Sequence, residues 1–256
     1  MFPDAPDAAL PRAGREASGG GIPCLLAFDT STEAMAVALQ TPAGLSTWNG
    51  EGGAAASALL LPRIRQMLDL ADIGLGQLQA IAFGAGPGAF TGLRTACAVA
   101  QGLAFGASLP VVPVDSLLIV AESVRGRHAA AAEQVDVVMD ARMGEIYAGR
   151  YRWTGQRWQV LQAPVLAGLD ILQRLWSAEP PVAVAGSALA VFGDRLRTGA
   201  AARIDADIDR AAALMRVAQL NWRDAGGIDP ALALPLYLRD KVALTVAERE
   251  AAKAAL

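Results

Sequence analysis

A chain of 256 residues, 54% of them hydrophobic, can bury a substantial core in one large domain or two lobes and is too apolar to be disordered. Its formal net charge of −3 lacks the basic excess with which a stand-alone nucleic-acid binder neutralises phosphates, so any contact with RNA is expected through a partner. The two cysteines, Cys24 and Cys97, sit in apolar segments and read as buried reduced thiols, while a single histidine, His128, in a polar turn excludes a multi-histidine zinc site.

Residues 1–21 are rich in Ala, Pro, Gly and charge without an apolar stretch, which reads as a disordered leader or an overcalled start codon and not a signal peptide. No uninterrupted apolar run reaches the roughly 18 residues that span a bilayer, so a cytoplasmic protein with no membrane contact is expected. Cys24–Phe28 and Ala34–Leu39 read as strands joined by Asp29-Thr30-Ser31-Thr32-Glu33, with Leu45–Trp48 as a third antiparallel strand. Leu60, Leu61, Ile64, Met67, Leu68 and Ala71 then fall at helical spacing. A buried strand, Leu78–Phe83, leads through Gly84-Ala85-Gly86-Pro87-Gly88-Ala89-Phe90-Thr91-Gly92 into a helix over Gly92–Ala107. Val111–Val114 is a short strand, and Asp115 caps the helix after it.

The pattern then restarts. Val135–Asp140 is a strand, Ala141–Gly144 a turn and Glu145–Trp153 the returning strand. A helix near Leu169–Trp176, a strand Val182–Ala185 and a helix Arg210–Trp222 follow, and Pro235-Leu236-Tyr237-Leu238-Arg239 reads as extended. Leu26-Ala27-Phe28-Asp29 and Val137-Val138-Met139-Asp140 match in kind: a strand ending in Asp, a tight turn, a returning strand. Two related lobes, 22–115 and 116–256, with a cleft between them are expected.

Three features carry candidate chemistry, each with a structural alternative. The Asp29, Thr30, Ser31 turn offers hydroxyls and N–H groups to a phosphate, with Asp29 reaching a metal or water; an Asx-type turn closing the hairpin needs the same residues. Asp140 has the same two readings. The glycine-rich loop, with Gly86 and Gly88 at its centre, is an anion cradle or a tight strand-to-helix joint. It has no lysine for a P-loop, and as a dinucleotide fingerprint, Gly84-x-Gly86-x-x-Ala89 with Asp115 as the ribose acid, it is interrupted by Pro87. Small residues recur at Ala96, Ala100 and Ala104 and again at Ala98, Gly102 and Gly106. They pack tightly within the chain, or present one face to another chain together with the helix of Leu60, Ile64 and Met67. Leu59, Leu60 and Leu61 in succession cannot all enter one core.

Taken together, GAGPGAFTGLR with the following AQGLA, the Asp-Thr-Ser-Thr-Glu turn, Asp140-Ala-Arg-Met-Gly-Glu-Ile-Tyr147 and Pro235-Leu-Tyr-Leu-Arg239 resemble the TsaB (YeaZ) family in order and spacing, from about Leu25 to Lys241. The resemblance implies an α/β protein with two similar lobes of the actin-like, sugar-kinase-like ATPase fold. It implies a non-catalytic subunit that activates the TsaD transferase, with TsaE, in adding threonylcarbamoyl to the adenosine beside the anticodon of tRNAs that read codons beginning with A. The partners implied are TsaD and TsaE, tRNA through the complex, and a second copy of the chain when TsaD is absent. The interface expected is Leu60, Ile64, Met67, Ala96, Ala100, Leu103 and Ala104.

TsaD-type proteins carry two metal-binding histidines on the first long helix, and the corresponding stretch here, Ala54 to Leu60, has none. Ala89 stands where the family often has Ser, and the Asp29 turn lacks the glycine that admits phosphate in active members of the wider fold. Vestigial phosphate loops, no metal and no cofactor of its own are therefore expected, with ATP placed at the complex and residual ATPase activity left open. The alternative is a nucleotide-dependent enzyme, a phosphotransferase of this fold or an NAD-binding protein, using the loop Gly84–Gly92.

Overall fold

The computed structural model describes residues 22–127, 133–204 and 209–239; the leader and His128 lie outside the described residues. Strands β1 (Leu25–Asp29), β2 (Ala34–Thr41) and β3 (Gly44–Glu51) form an antiparallel meander, followed by helix α1 (Ala56–Leu70), β4 (Ala80–Gly86), α2 (Phe90–Ala107), β5 (Val111–Asp115) and α3 (Ser116–Arg127). The order repeats with β6 (Gln134–Asp140), β7 (Glu145–Trp153), β8 (Trp158–Gly168), α4 (Leu169–Ala178), β9 (Ala183–Ala185), α5 (Ala188–Phe192), β10 (Ala202–Ile204) and α6 (Arg210–Ala225).

Two five-stranded sheets result, ordered β3-β2-β1-β4-β5 and β8-β7-β6-β9-β10. In each, the first strand pairs antiparallel with the second and parallel with the fourth. The two halves are thus one topology used twice, and Asp29 and Asp140 end equivalent strands.

Strand alternation builds five layers. On the outer face of the first sheet, Leu26, Phe28, Ile81 and Phe83 pack against Leu60 and Ile64 of α1 and Ala96 and Ala100 of α2. On its inner face Leu25, Ala27, Ala36, Ala38, Ala80 and Ala82 meet α3 and α6, which also cover Val135, Val137 and Tyr151 of the second sheet. The alanine-rich inner face lets these two helices lie close to both sheets. The outer face of the second sheet is closed by Leu172 and Trp176 of α4 and Leu189 and Phe192 of α5.

Helix α3 starts as its sequence predicts: Asp115 Oδ1 accepts from the amides of Leu117 at 2.8 Å and Leu118 at 3.4 Å. Helix α6 is capped by Asp209, which accepts from the Ala212 amide, and by Asn49 of β3, which accepts from the Ala211 amide.

Packing corrects several sequence expectations. Leu61 does not belong to the buried stripe of α1; Leu59 and Leu61 are exposed while Leu60 is buried. Of the residues expected to meet a partner, Leu60, Ile64, Met67, Ala96, Ala100 and Ala104 are buried in the chain's own core, and Leu103 is half-buried. The outward face of α2 carries the other small residues, Ala98, Gly102 and Gly106, with Phe105. Packing on the first sheet also extends beyond residues 22–115. Helix α6 lies on β1 and β2, and the chain after it pairs back on β5 through Val111 and Ile228. Strands β8 and β10 and the short helix α5 carry no strong periodic signal in the sequence.

Candidate functional site

The strand ends and turns singled out by sequence converge on one cleft between the lobes, a cavity of about 560 Å³. Ser31, Gly88, Ser116 and Arg210 line one wall; Asp140, Arg142, Tyr147 and Ser187 line the other, and Leu236, Tyr237 and Arg239 border both.

At the first turn the Ser31 amide donates to Asp29 Oδ1 at 2.6 Å, the Asx arrangement. At the second, the Arg142 amide donates to Asp140 Oδ1 at 3.0 Å, repeating it. Asp29 is completely buried, and its other oxygen accepts from Arg210 Nη2 at 2.6 Å. That guanidinium reaches Ser31 Oγ at 2.9 Å as well. Arg210 opens α6, so the lobe-one carboxylate is neutralised by a cation from the far end of the sequence. Asp29 is therefore not presented to a metal or water.

The glycine-rich loop adopts the tight-joint form. The Ala89 amide donates to Ser31 O at 2.8 Å and the Gly86 amide to Ser116 Oγ at 3.1 Å. Any side chain at Gly88 would collide with Ser31, and any at Gly92 with the carbonyl of Thr30. These glycines let loop and first turn touch. The dinucleotide reading fails on Asp115: its carboxylate caps α3 and accepts from Tyr151 Oη of the second sheet at 2.6 Å. Burial pushes Asp115 up to about 6, against the lowering effect of those hydrogen bonds. The Tyr151 phenol is raised by burial and by the neighbouring carboxylate.

The lobes meet across the cleft mouth through Arg142, which pairs with Glu33 at 2.8 Å and with Asp140 at 3.6 Å. Both Arg142 and Glu33 are exposed, so their pairing contributes about 0–1 kcal/mol. Behind the cleft, Glu122 of α3 accepts from Arg125, Trp158 Nε1 and Arg216 Nε. Burial raises this carboxyl, but those donors outweigh it and hold it below the usual range. Among the described residues no group of three His, Cys, Asp or Glu side chains is placed to hold a metal ion. Burial raises the Cys24 and Cys97 thiols, which are both free. No described helix is long and apolar enough to cross a membrane.

Sequence reasoning missed Arg210. The available signal was Asp29 itself, an acid at the end of a fully apolar strand, which needs a counter-ion if buried.

Two repeated sheet-and-helix lobes around such a cleft define an α/β protein of the actin-like, sugar-kinase-like fold. Residues 53–197 match the family described as TsaD: tRNA N6-adenosine threonylcarbamoyltransferase. The tRNA threonylcarbamoyladenosine biosynthesis protein TsaB of Haemophilus influenzae is 32% identical over 232 residues, 85% of this chain and 94% of that protein. Among solved structures, YeaZ from Pseudomonas aeruginosa superposes with a TM-score of 0.75 at 33% identity, covering 84% of this chain and all of that one. A Pseudomonas aeruginosa protein described as similar to peptidase YeaZ gives a TM-score of 0.77 at 34% identity, over 85% of this chain and all of its own. The chain belongs to the TsaB (YeaZ) family of tRNA threonylcarbamoyladenosine biosynthesis proteins.

Proposed function

We propose that this chain is the non-catalytic subunit that binds and activates a TsaD transferase, with TsaE, in threonylcarbamoylation of tRNA. The observation that carries the reading is the Asp29–Arg210 pair: the acid at the phosphate-turn position is buried and spent on the chain's own cation. A phosphotransferase would need that carboxylate free, and a peptidase would need a base beside Ser31, where Arg210 stands instead. The protein works with no cofactor of its own; ATP belongs to the assembled complex, and tRNA is contacted through it.

The surface we assign to TsaD is the outward side of α1 and α2, where Leu59, Leu61 and Phe105 are exposed beside Gly102 and Gly106. The same face accounts for self-association when TsaD is absent. A side chain at Gly102 would enter open space, so Gly102→Trp keeps the fold, whereas a tryptophan at buried Ala100 would break the core.

The test is reconstitution with TsaD, TsaE, tRNA and threonylcarbamoyl-AMP. The chain alone is inert, the full mixture modifies tRNA, and Gly102→Trp weakens TsaD binding at least tenfold while its circular dichroism stays unchanged. Modification of tRNA by the isolated chain refutes the non-catalytic assignment. Undiminished TsaD binding by Gly102→Trp refutes the surface.

A further inference from the structure

The chain after α6 does more than return to the first sheet. Its last described residues cross the cleft from the glycine-rich loop to the second hairpin turn. At the lobe-one end, the Leu236 amide donates to Ala85 O at 2.7 Å, the Tyr237 ring lies 5.1 Å from that of Phe90, and Arg94 Nε donates to Tyr237 Oη at 3.2 Å. At the lobe-two end, Arg239 donates to Ala141 O at 2.8 Å and to Arg142 O at 3.4 Å, and pairs with Glu145 at 2.7 Å.

The turn that Arg239 grips is strained. Arg142, Met143 and Gly144 all have left-handed backbones, with φ of 62°, 57° and 76°. For the two residues bearing side chains this is a disfavoured conformation, and such conformations persist only where the surroundings hold them. Arg239 supplies that hold: it meets two successive carbonyls of the turn and the acid that closes it. Its side chain is only 16% exposed, and its bond to the Ala141 carbonyl is partly buried.

We propose that Pro235–Arg239 is a built-in clamp: one continuous segment that fastens the glycine-rich loop of the first lobe to the left-handed turn of the second and so fixes the width of the cleft. The clamp makes the lobe angle a property of the folded chain, where a two-lobed enzyme would leave it to its ligand. A clamp of this kind transmits a perturbation along its length. Cutting its hold on the second lobe frees the first-lobe end as well, because Leu236 and Arg239 are separated by only two residues of extended chain.

Amide hydrogen exchange on the full chain tests this with Arg239→Ala. The expected result is exchange at least tenfold faster both in residues 141–145 and in the amides of 86–93 and of Leu236. Acceleration confined to 141–145, with 86–93 and Leu236 keeping wild-type protection, overturns the clamp. If Arg239→Ala does not fold, Glu145→Gln removes the ionic part of the same grip and is read in the same two regions, with the same two outcomes. TsaD binding measured on these variants reports separately on the α1–α2 surface, so the two readings fail independently.

Discussion

The buried pair Asp29–Arg210 gives the sharpest energetic test. Asp29 is fully buried and Arg210 is 5% exposed, with 2.6 Å between Oδ2 and Nη2. Two unit charges about 3 Å apart attract by about 5–6 kcal/mol at an effective dielectric constant of 20. Desolvation of both ions takes back most of that, so the intact pair contributes little net stability. Breaking it is another matter, because it strands an uncompensated charge at a cost of about 3–5 kcal/mol. Asp29→Asn is the cleanest perturbation: an amide oxygen can still accept the Ser31 amide and preserve the turn, so chiefly charge is lost. Urea unfolding of Asp29→Asn, Arg210→Met and the double variant should show each single losing about 3 kcal/mol. The double should lose clearly less than the sum, with a coupling of about 2–3 kcal/mol. Additivity within about 0.5 kcal/mol would refute the claim that these residues answer one another. In the reconstituted reaction the double variant should still activate TsaD, since neither residue is assigned to chemistry or to the α1–α2 surface.

Asp115 predicts a pH dependence. Its folded pKa of about 6 lies above the ordinary 3.8, so between those values the folded state holds more protons than the unfolded. The stability it contributes is full below pH 3.8 and is lost as pH rises through 6, about 2–3 kcal/mol in all. Asp115→Asn should therefore gain on the wild type by about that much between pH 4 and pH 7.5 in denaturant titrations; a constant difference across that range would contradict the assignment. Glu122→Ala should destabilise by about 2–4 kcal/mol, the low side for a buried acid, because Arg125 and Arg216 are 29% and 38% exposed and can turn to water. For a chain of this size that lowers the melting temperature by about 10 °C, and a fall under about 2 °C would show that the three donors reorganise without cost.

The duplication was legible because it is written in chemistry that recurs: two apolar strands each ending in Asp, each followed by a polar turn and a returning strand. Buried strands announce themselves through uninterrupted apolar runs, and β1, β2, β4 and β7 fall close to where the sequence puts them. Strand β8 is different. It is a sheet edge on which only Ala167 is fully buried, so its residues alternate weakly and it contains Pro164. The faces of α2 show another limit. Ala96, Ala100 and Ala104 point in and Ala98, Gly102 and Gly106 point out, yet both rows are small residues at the same spacing, and size alone does not say which row meets the sheet. Arg210 was hidden for a third reason: 181 residues separate it from Asp29, and no local pattern spans that distance.

The duplicated fold makes one departure from symmetry informative. The helix following β5 begins at Ser116, and its counterpart following β10 begins at Arg210. Equivalent positions thus hold a hydroxyl in one half and a guanidinium in the other. Asp29 is consequently sealed by a helix from the opposite half. Asp140, its counterpart, keeps a partly open carboxylate, 12% exposed, which accepts the Arg142 amide of its own turn at 3.0 Å and pairs with the exposed Arg142 guanidinium at 3.6 Å. An anionic ligand entering at the first turn would have to displace a buried ion pair. At about 3–5 kcal/mol for stranding one charge and 1.4 kcal/mol per decade, that lowers its affinity by about a hundredfold to several thousandfold. At the second turn the obstacle is the chain itself, drawn across the cleft and anchored by Arg239 to the strained backbone. The two equivalent half-sites are therefore occupied by two unrelated devices, an ion pair at the first turn and a bridging segment at the second, around the cavity of about 560 Å³. Chance burial of a single acid would explain either device alone; finding both in equivalent half-sites is what the proposed action through the outward helices α1 and α2 requires.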